Sequence, residues 1–438
     1  MHMNDMVLIS TDDHLIEPPD MYDNHLSGDL LASAPKMKTN ESGGEYWEYQ
    51  DFKLPVTGLN AVMGRVPEEY GMEATSLSHM RRACYDPRAR LDDMNVNGVA
   101  AALNFATAVV MDGSMFHRAA DKGLAVRHMR AYNDWHVDEW CGAGPGRLIP
   151  CGVLPTWDMD ATVAEIKRLA DKGCRVVSVN ENPTKLGLPS IHNAYWEPFW
   201  KALVDNGTAI TLHIGAGNPT PHASMETPIE AWISTMQMSI CVGLADWLNL
   251  EALRKYPALK ISLAESGAGW VPFLLERSDY LHKRHSPWTH SDFGGRLPSE
   301  IFREHFMVSF IDDAYGLRNL DLVGEDNTAW ECDYPHSDAT WPTSPEILWE
   351  SIRQLSDELI DKVTHRNAMN FYGFDLFAHQ PRNELTVGAL RARAAADGVD
   401  TTLKSYGGAR PLEEGIKRRV TSGDVVRMNQ NIAKIAQA

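Results

Sequence analysis

The chain reads as an α/β protein: a (β/α)8 barrel of the TIM type, with a long insertion after its first strand and a helical extension at its C-terminus. Three observations lead there. Short apolar runs alternate with helix-patterned stretches from about residue 85 to residue 370, as expected of parallel strands buried on both faces. Eight such runs can be placed, which favours a closed barrel over an open doubly wound sheet. Acids and histidines stand just past several of them: Asp12 and His14, His213, Glu265 and Asp333. In a barrel the C-terminal strand ends converge on one mouth, so these side chains would meet there.

The elements follow in order. Residues 6–12 form the first strand, carried by Val7-Leu8-Ile9. Residues 18–90 show no clear alternation. They hold Pro18-Pro19, Gly43-Gly44, the aromatics Tyr46, Trp47, Tyr49 and Phe52, and Arg81-Arg82. An insertion at that point lies at the active-site end, where it either shapes the substrate pocket or packs elsewhere and joins subunits. Asp86-Pro87 opens a helix bearing Leu91, Met94 and Val96, followed by a second strand over Val99–Phe105. Residues 116–141 read as one long helix with Leu124, Met129, Tyr132 and Trp135 at helical spacing, and Leu148–Leu154 as a third strand.

Thr162–Lys172 is a helix whose C-cap is Gly173. A fourth strand covers Val176–Asn180, a helix Tyr195–Asp205, and a fifth strand Ala209–Ile214. The Met-rich stretch 229–255 is helical and belongs to core or interface. Leu259–Ala264 is a sixth strand, Val271–Lys283 a helix, His305–Phe310 a seventh strand, Leu317–Val323 a short helix and Thr328–Glu331 an eighth strand. Helices over Ile347–Leu355 and Asp357–Asn370 complete a barrel domain spanning residues 1–376. Residues 377–438 are charged and helix-prone, an extension that packs on the barrel or on a partner subunit.

Bulk properties narrow the function. The chain has 438 residues, 44% hydrophobic, and a formal charge of −18 from 41 basic and 59 acidic side chains. So negative a surface disfavours nucleic acid as a partner. The six cysteines, Cys84, Cys141, Cys151, Cys174, Cys241 and Cys332, form no C-x-x-C pair and read as buried thiols. Cys332, beside Asp333, is a minor ligand candidate, since neighbouring strand residues point to opposite faces. The N-terminus has neither a basic nor a long apolar region, and no stretch has the length and apolarity of a membrane span. The expectation is a cytoplasmic protein with no membrane partner, acting on a small molecule. The C-terminal arm and the Met-rich helix point to a homodimer.

Asp12 and His14 lie two apart on extended backbone and share a face, so both can chelate one ion. His213, Glu265 and Asp333 each end a buried run, where a carboxylate is costly unless paired or metal-bound. Together the five make a site for one or two divalent ions, Zn, Fe or Mn. A bound divalent ion lowers the pKa of water from about 15.7 to about 7. Asp333 can then move the proton, with Glu265 a second acid–base candidate and His336 orienting Asp333 or contacting substrate.

These segments resemble the amidohydrolase superfamily, in its amidohydrolase-2 branch with the aminocarboxymuconate-semialdehyde decarboxylase-like enzymes. The resemblance rests on residues 9–19 (ISTDDHLIEPP), the His213 strand, residues 265–270 (ESGAGW), residues 331–336 (ECDYPH) and residues 366–373 (RNAMNFYG), and covers about residues 6–376. It implies a metal at the strand C-termini. The family's first-strand H-x-H maps onto Asp12-x-His14, its strand-five histidine onto His213 and its strand-eight aspartate onto Asp333. Glu265 stands where family members often carry a strand-six histidine, which argues against a direct copy of the decarboxylase mechanism. Glu17 and Asn180 are candidate extra ligands. Arg65, Arg81, Arg82 and Arg296 are candidates to hold a substrate carboxylate, and the insertion aromatics with Trp270 suit a cyclic or apolar substrate. The leading expectation is a hydrolase attacking an amide, ester, lactone or thioester. The alternatives are nonoxidative decarboxylation of an aromatic or unsaturated acid, or a non-catalytic barrel.

Overall fold

The computed structural model describes residues 1–41, 43–71, 75–407 and 419–426. The strands run in chain order as β1 (Leu8–His14), β2 (Lys36–Thr39), β3 (Glu45–Tyr49), β4 (Phe52–Pro55), β5 (Val99–Phe105), β6 (Leu148–Pro150), β7 (Gly152–Val153), β8 (Val176–Ser178), β9 (Ala209–His213), β10 (Ile261–Ala264), β11 (Phe306–Phe310) and β12 (Thr328–Trp330). All except β2–β4 pair in parallel, in the orders β1-β5-β6 and β12-β11-β10-β9-β8-β7.

The two arcs join into one barrel at both seams. β6 and β7 are a single stave interrupted at Cys151. There the Cys151 N–H is diverted to His136 Nε2 at 3.2 Å, and Pro150 has no N–H to give. At the other seam Asp333 N donates to Asp12 O at 2.7 Å and His14 N to Tyr334 O at 2.6 Å. Thr11 Oγ1 also donates to Trp330 O, at 3.1 Å. The third strand read from sequence is therefore two short pieces, and the eight staves close as expected.

Two helices differ from the sequence reading. The stretch 116–141 is an α-helix over Lys122–Trp135 that widens into a π turn at His136–Trp140. The stretch 229–255 is three helices, Ile229–Ile233, Gln237–Trp247 and Ala252–Lys255. Apolar residues continue on both sides of each break, so the spacing pattern alone does not mark where one helix stops and the next begins.

The insertion is more ordered than its sequence signals. β2–β4 form an antiparallel meander that turns Trp47 and Tyr49 inward, both buried. Tyr49 contacts the Phe116 ring and lies 2.9 Å from His128 Nδ1. Farther on, Val62 N donates to Pro335 O at 3.1 Å, so the insertion also reaches the loop after β12. It thus lies at the mouth, while its Trp47 and Tyr49 serve the core.

In the C-terminal region, the helix Val387–Ala396 packs on the helix Pro87–Val96, and Val387 N donates to Met6 O at 2.8 Å. The part of that extension over residues 408–418 and 427–438 lies outside the described residues. Among the described residues no helix is long and apolar enough to cross a membrane.

Gly98 turns the chain into β5 at φ +67°, and a Cβ there would sit 2.9 Å from Val387 Cγ1 and 3.1 Å from Val387 Cα. Gly98→Ala combines left-handed strain with a backbone collision. It is expected to lower stability by about 1–3 kcal/mol, measured as a drop in the denaturant midpoint at unchanged slope.

Candidate metal centre and active site

β1 is buried along its whole length although five of its seven residues are polar. A register irregularity between Ser10 and Asp13 interrupts the strand here. Asp12 and His14 face the barrel mouth, and Asp13 faces the other way. There its carboxylate accepts from Ser10 Oγ at 2.7 Å and lies 3.7 Å from the buried Arg90. Arg90 also donates to the carbonyls of Ala83 and His14, pinning the end of β1 from behind.

Four staves bring the predicted residues together. His14 Nε2 is 3.0 Å from His213 Nε2, 3.2 Å from Asp12 Oδ1 and 3.6 Å from Asp333 Oδ1. His213 Nε2 is 3.2 Å from Asp12 Oδ2 and 3.5 Å from Glu265 Oε2. His336 Nδ1 is 2.9 Å from Asp333 Oδ1, and its ring stacks on that of His14 with centroids 3.9 Å apart. The other nitrogen of His213, Nδ1, donates to Ile214 O at 2.7 Å, which fixes the ring and leaves Nε2 as the nitrogen directed at the centre.

A metal ion fits this arrangement. Both carboxylate oxygens of Asp12 and both of Asp333 are buried without a hydrogen-bond donor, an expensive state unless a cation answers it. Asp12, His14 and His213 form one cluster of ligand atoms, and His14, Asp333 and His336 a second. For ligands about 2.1 Å from a common ion, a right-angle pair lies about 3.0 Å apart, close to the observed separations.

The electrostatics point the same way. Burial opposes charge on Asp12, yet His213 and His14 hold its carboxyl well below the usual range. Burial, with Asp333 next, pushes Glu265 well above its ordinary value, and burial with Asp12 does the same to Asp333. His14 is brought down to about 3 by burial and by His336 beside it. Burial also works against a cation on His213, but Asp12 and Glu265 hold it well above the imidazole range.

Glu265 and Asp333 both adopt left-handed backbone, φ 50° and 59°. For non-glycine residues that costs on the order of 1–3 kcal/mol each, a strain found where function over-determines geometry. Each turns its side chain back across the mouth just where its stave ends. The Glu265 turn is held by Glu331, whose Oε2 accepts from Glu265 N at 3.1 Å. Burial, then Asp12 and Glu265, raises the Glu331 carboxyl as well. Glu331 and Arg90 were not singled out from sequence. Glu331 had a signal, an acid inside a buried strand beside Asp333. Arg90 had none, lying among polar residues of an ordinary helix.

Other candidates lie elsewhere. Glu17 accepts from Thr107 N, Ala108 N and Tyr132 Oη, which engages both of its oxygens. Asn180 is tied to Asp112, Ala216 O and Asn182 N. Cys332 Sγ turns to Asn97 and Ser344. Arg65 binds Glu69 and the carbonyls of His79 and Gly407, Arg81 binds Asp93, Arg82 binds Asp86, and Arg296 binds Glu304. Trp270 Nε1 donates to Ser266 O, stapling the loop after β10. A cavity of about 440 Å³ lined by His192, Trp200, Arg254 and Phe293 opens away from these groups and contains none of them.

The fold is a (β/α)8 barrel whose mouth gathers groups that could hold a metal ion. The family model described as Amidohydrolase matches residues 46–374, and the chain belongs to that family. A curated relative, 2-amino-3-carboxymuconate-6-semialdehyde decarboxylase of Dictyostelium discoideum, is 24% identical over 297 residues, 67% of this chain and 78% of its own. An amidohydrolase structure from Mycobacterium avium subsp. paratuberculosis superposes with a TM-score of 0.63 at 18% identity, covering 84% of this chain and 99% of its own. A dihydroxybenzoic acid decarboxylase of Polaromonas sp. JS666, solved with manganese and 2-nitroresorcinol, gives a TM-score of 0.55 at 19% identity, covering 84% of this chain and 97% of its own.

These relatives overturn the leading expectation of a hydrolase, because those with a specific activity in their names are decarboxylases. The physical reason is that one ligand set at a barrel mouth serves either reaction, so the ligands alone do not choose between water and a carboxyl group.

Asp12→Ala, His14→Ala, His213→Ala and Asp333→Asn are each expected to lose bound metal, read by inductively coupled plasma mass spectrometry on folded protein. Normal metal content in all four would exclude this site.

Proposed function

We propose that the protein is a nonoxidative, metal-dependent decarboxylase of an aromatic or unsaturated carboxylic acid. The observation that carries this reading is that the named activities among its relatives are decarboxylations, one of them in a structure holding manganese. The arrangement at the mouth supports it. Asp12, His14, His213 and Asp333 would hold one divalent ion, with manganese the first choice. When bound, such an ion supplies positive charge that draws in the substrate carboxylate and a neighbouring oxygen and stabilises negative charge developing on the substrate.

The remaining chemistry belongs to the side chains. Loss of CO2 leaves the bonding electron pair on carbon, and that carbon needs a proton. Glu265 and Asp333 lie close enough for each to raise or adjust the other's proton affinity, and two carboxyl groups so placed retain one proton between them. Asp333 is fully buried, whereas the Glu265 side chain keeps 13% of its surface accessible. Glu265 is therefore assigned as the group that delivers the proton to carbon. His336, against Asp333 Oδ1, positions that carboxyl, and Glu331 positions Glu265 through its backbone. The strand-six glutamate, which on sequence grounds argued against decarboxylation, here takes the acid role that a histidine at the same place would fill.

In deuterium oxide the manganese-loaded protein should release CO2 from a responsive dihydroxybenzoate or carboxymuconate-type acid and leave deuterium on the carbon that lost it. Release without deuterium there, or no CO2 from any such acid, counts against the reading. Glu265→Gln should keep the metal and reduce kcat by about 10²–10⁴, with little change in KM. Loss of metal in that variant would make Glu265 a ligand instead.

A further inference from the structure

We infer that Arg81, Asp93 and Tyr334 are positioning residues for the candidate metal centre: they fix the left-handed turn at Asp333 and tie it to the C-terminal extension. The inference rests on reading the barrel mouth as a metal site, and not on the reaction assigned to it. Tyr334 follows Asp333, and its main chain is bound to β1. Its carbonyl accepts from His14 N at 2.6 Å, and its N–H lies 3.4 Å from Asp13 Oδ1. Its side chain is buried and reaches the helix Pro87–Val96. On that helix Arg90 and Asp93 stand three residues apart, which places them on one face, and both are buried. Arg90 lies over the Tyr334 ring, 4.2 Å from its centroid. Asp93 Oδ2 accepts from Tyr334 Oη at 2.7 Å. The phenol is thus gripped on its face and at its tip.

A buried carboxylate is costly unless it is paired, and Arg81 pairs this one. Its Nε donates to Asp93 Oδ2 and its Nη2 to Asp93 Oδ1, both at 2.6 Å. That two-pronged geometry makes an arginine–carboxylate contact both strong and directional. The guanidinium lies 4.7 Å from the Trp341 ring centroid, and Trp341 Nε1 donates to Asp93 O at 3.2 Å. Arg81 Nη2 also donates to Asp400 O at 2.7 Å, which brings in the C-terminal extension. The extension meets the insertion again where Lys404 N donates to Gly64 O at 2.8 Å.

These contacts reach the centre through one covalent step. Asp333 holds φ 59°, a conformation that a non-glycine residue keeps only when its surroundings over-determine it. The next residue is fixed at its main chain, its ring and its hydroxyl, so the turn cannot relax without breaking a charge-assisted network. The neighbouring Arg82 provides a contrast. Its side chain is 75% exposed and pairs with Asp86 instead.

The test is the binding of Mn2+ to the metal-free, full-length protein, followed by calorimetric titration and by the electron paramagnetic resonance spectrum of the bound ion. Tyr334→Phe keeps the ring and its Arg90 contact and removes only the bond to Asp93. Arg81→Ala removes the two-pronged pairing. Each should weaken Mn2+ binding by about tenfold or more and alter the spectrum, with circular dichroism showing folded protein. Arg82→Ala should match the wild type in both readouts. Should Arg81→Ala fail to fold, Tyr334→Phe decides alone. Wild-type affinity or a wild-type spectrum in folded Tyr334→Phe overturns the inference. So does an equal loss in Arg82→Ala, which would mean a general loosening of the fold. A wild-type protein that takes up no Mn2+ overturns the metal-site reading and this inference with it, a result distinct from the other two.

Discussion

Everything at the barrel mouth follows from burying charge without water. Asp12, Asp333 and Glu331 are buried and crowd, with Glu265, against three imidazoles, and only Glu265 and His336 of this set keep some accessible surface. In a medium of low dielectric, carboxylates at such separations repel strongly, and each lacks the hydration that would offset its charge. A cation at the centre relieves both costs. The protein supports the arrangement from outside: Arg90 grips the end of β1 through the His14 carbonyl, and the Glu265 turn hangs on Glu331. The strain at Glu265 and Asp333 persists because neighbouring staves and these tethers leave the loops little alternative.

The barrel makes the convergence possible. Four of the eight staves contribute one or two side chains each, and parallel direction delivers all of them to the same end. The closing seam is the most demanding part. β1 and the chain after β12 are joined by backbone bonds made by Asp12, His14 and Asp333 themselves, so the residues that close the barrel are those that would bind the ion. Closing that seam therefore also brings these residues together. A metal that favours the assembled site would stabilise the closed barrel by mass action.

Within the amidohydrolase family the ligand frame does not decide the reaction. The choice then falls to the group placed beside the candidate ligands. In this chain that group is an acid at the end of β10, paired with the aspartate after β12. A carboxyl pair at this place suits the proposed delivery of a proton to carbon, and the relatives with named activities are decarboxylases. The insertion closes over the same end through Val62 and Pro335, giving this chain a roof its staves alone would lack.

Sequence alone determined the barrel, its strand count and the set Asp12, His14, His213, Glu265, Asp333 and His336, all of which the structure gathers at one mouth. Most of the buried parallel strands are apolar runs, so an acid or histidine at the end of such a run stands out. Tertiary structure decided what pattern cannot carry. The break at Cys151 depends on a distant histidine nitrogen. The meander in the insertion depends on packing Trp47 and Tyr49 against another helix. Arg90 and Glu331 matter only through partners far along the chain. Glu17, Asn180 and the arginines of the insertion dropped out because backbone amides, Asp112, Asp93 and other local groups already occupy them. The pairings of Glu17, Asn180 and Arg81 join residues of ordinary type far apart in the chain, and one-dimensional spacing contains no trace of them.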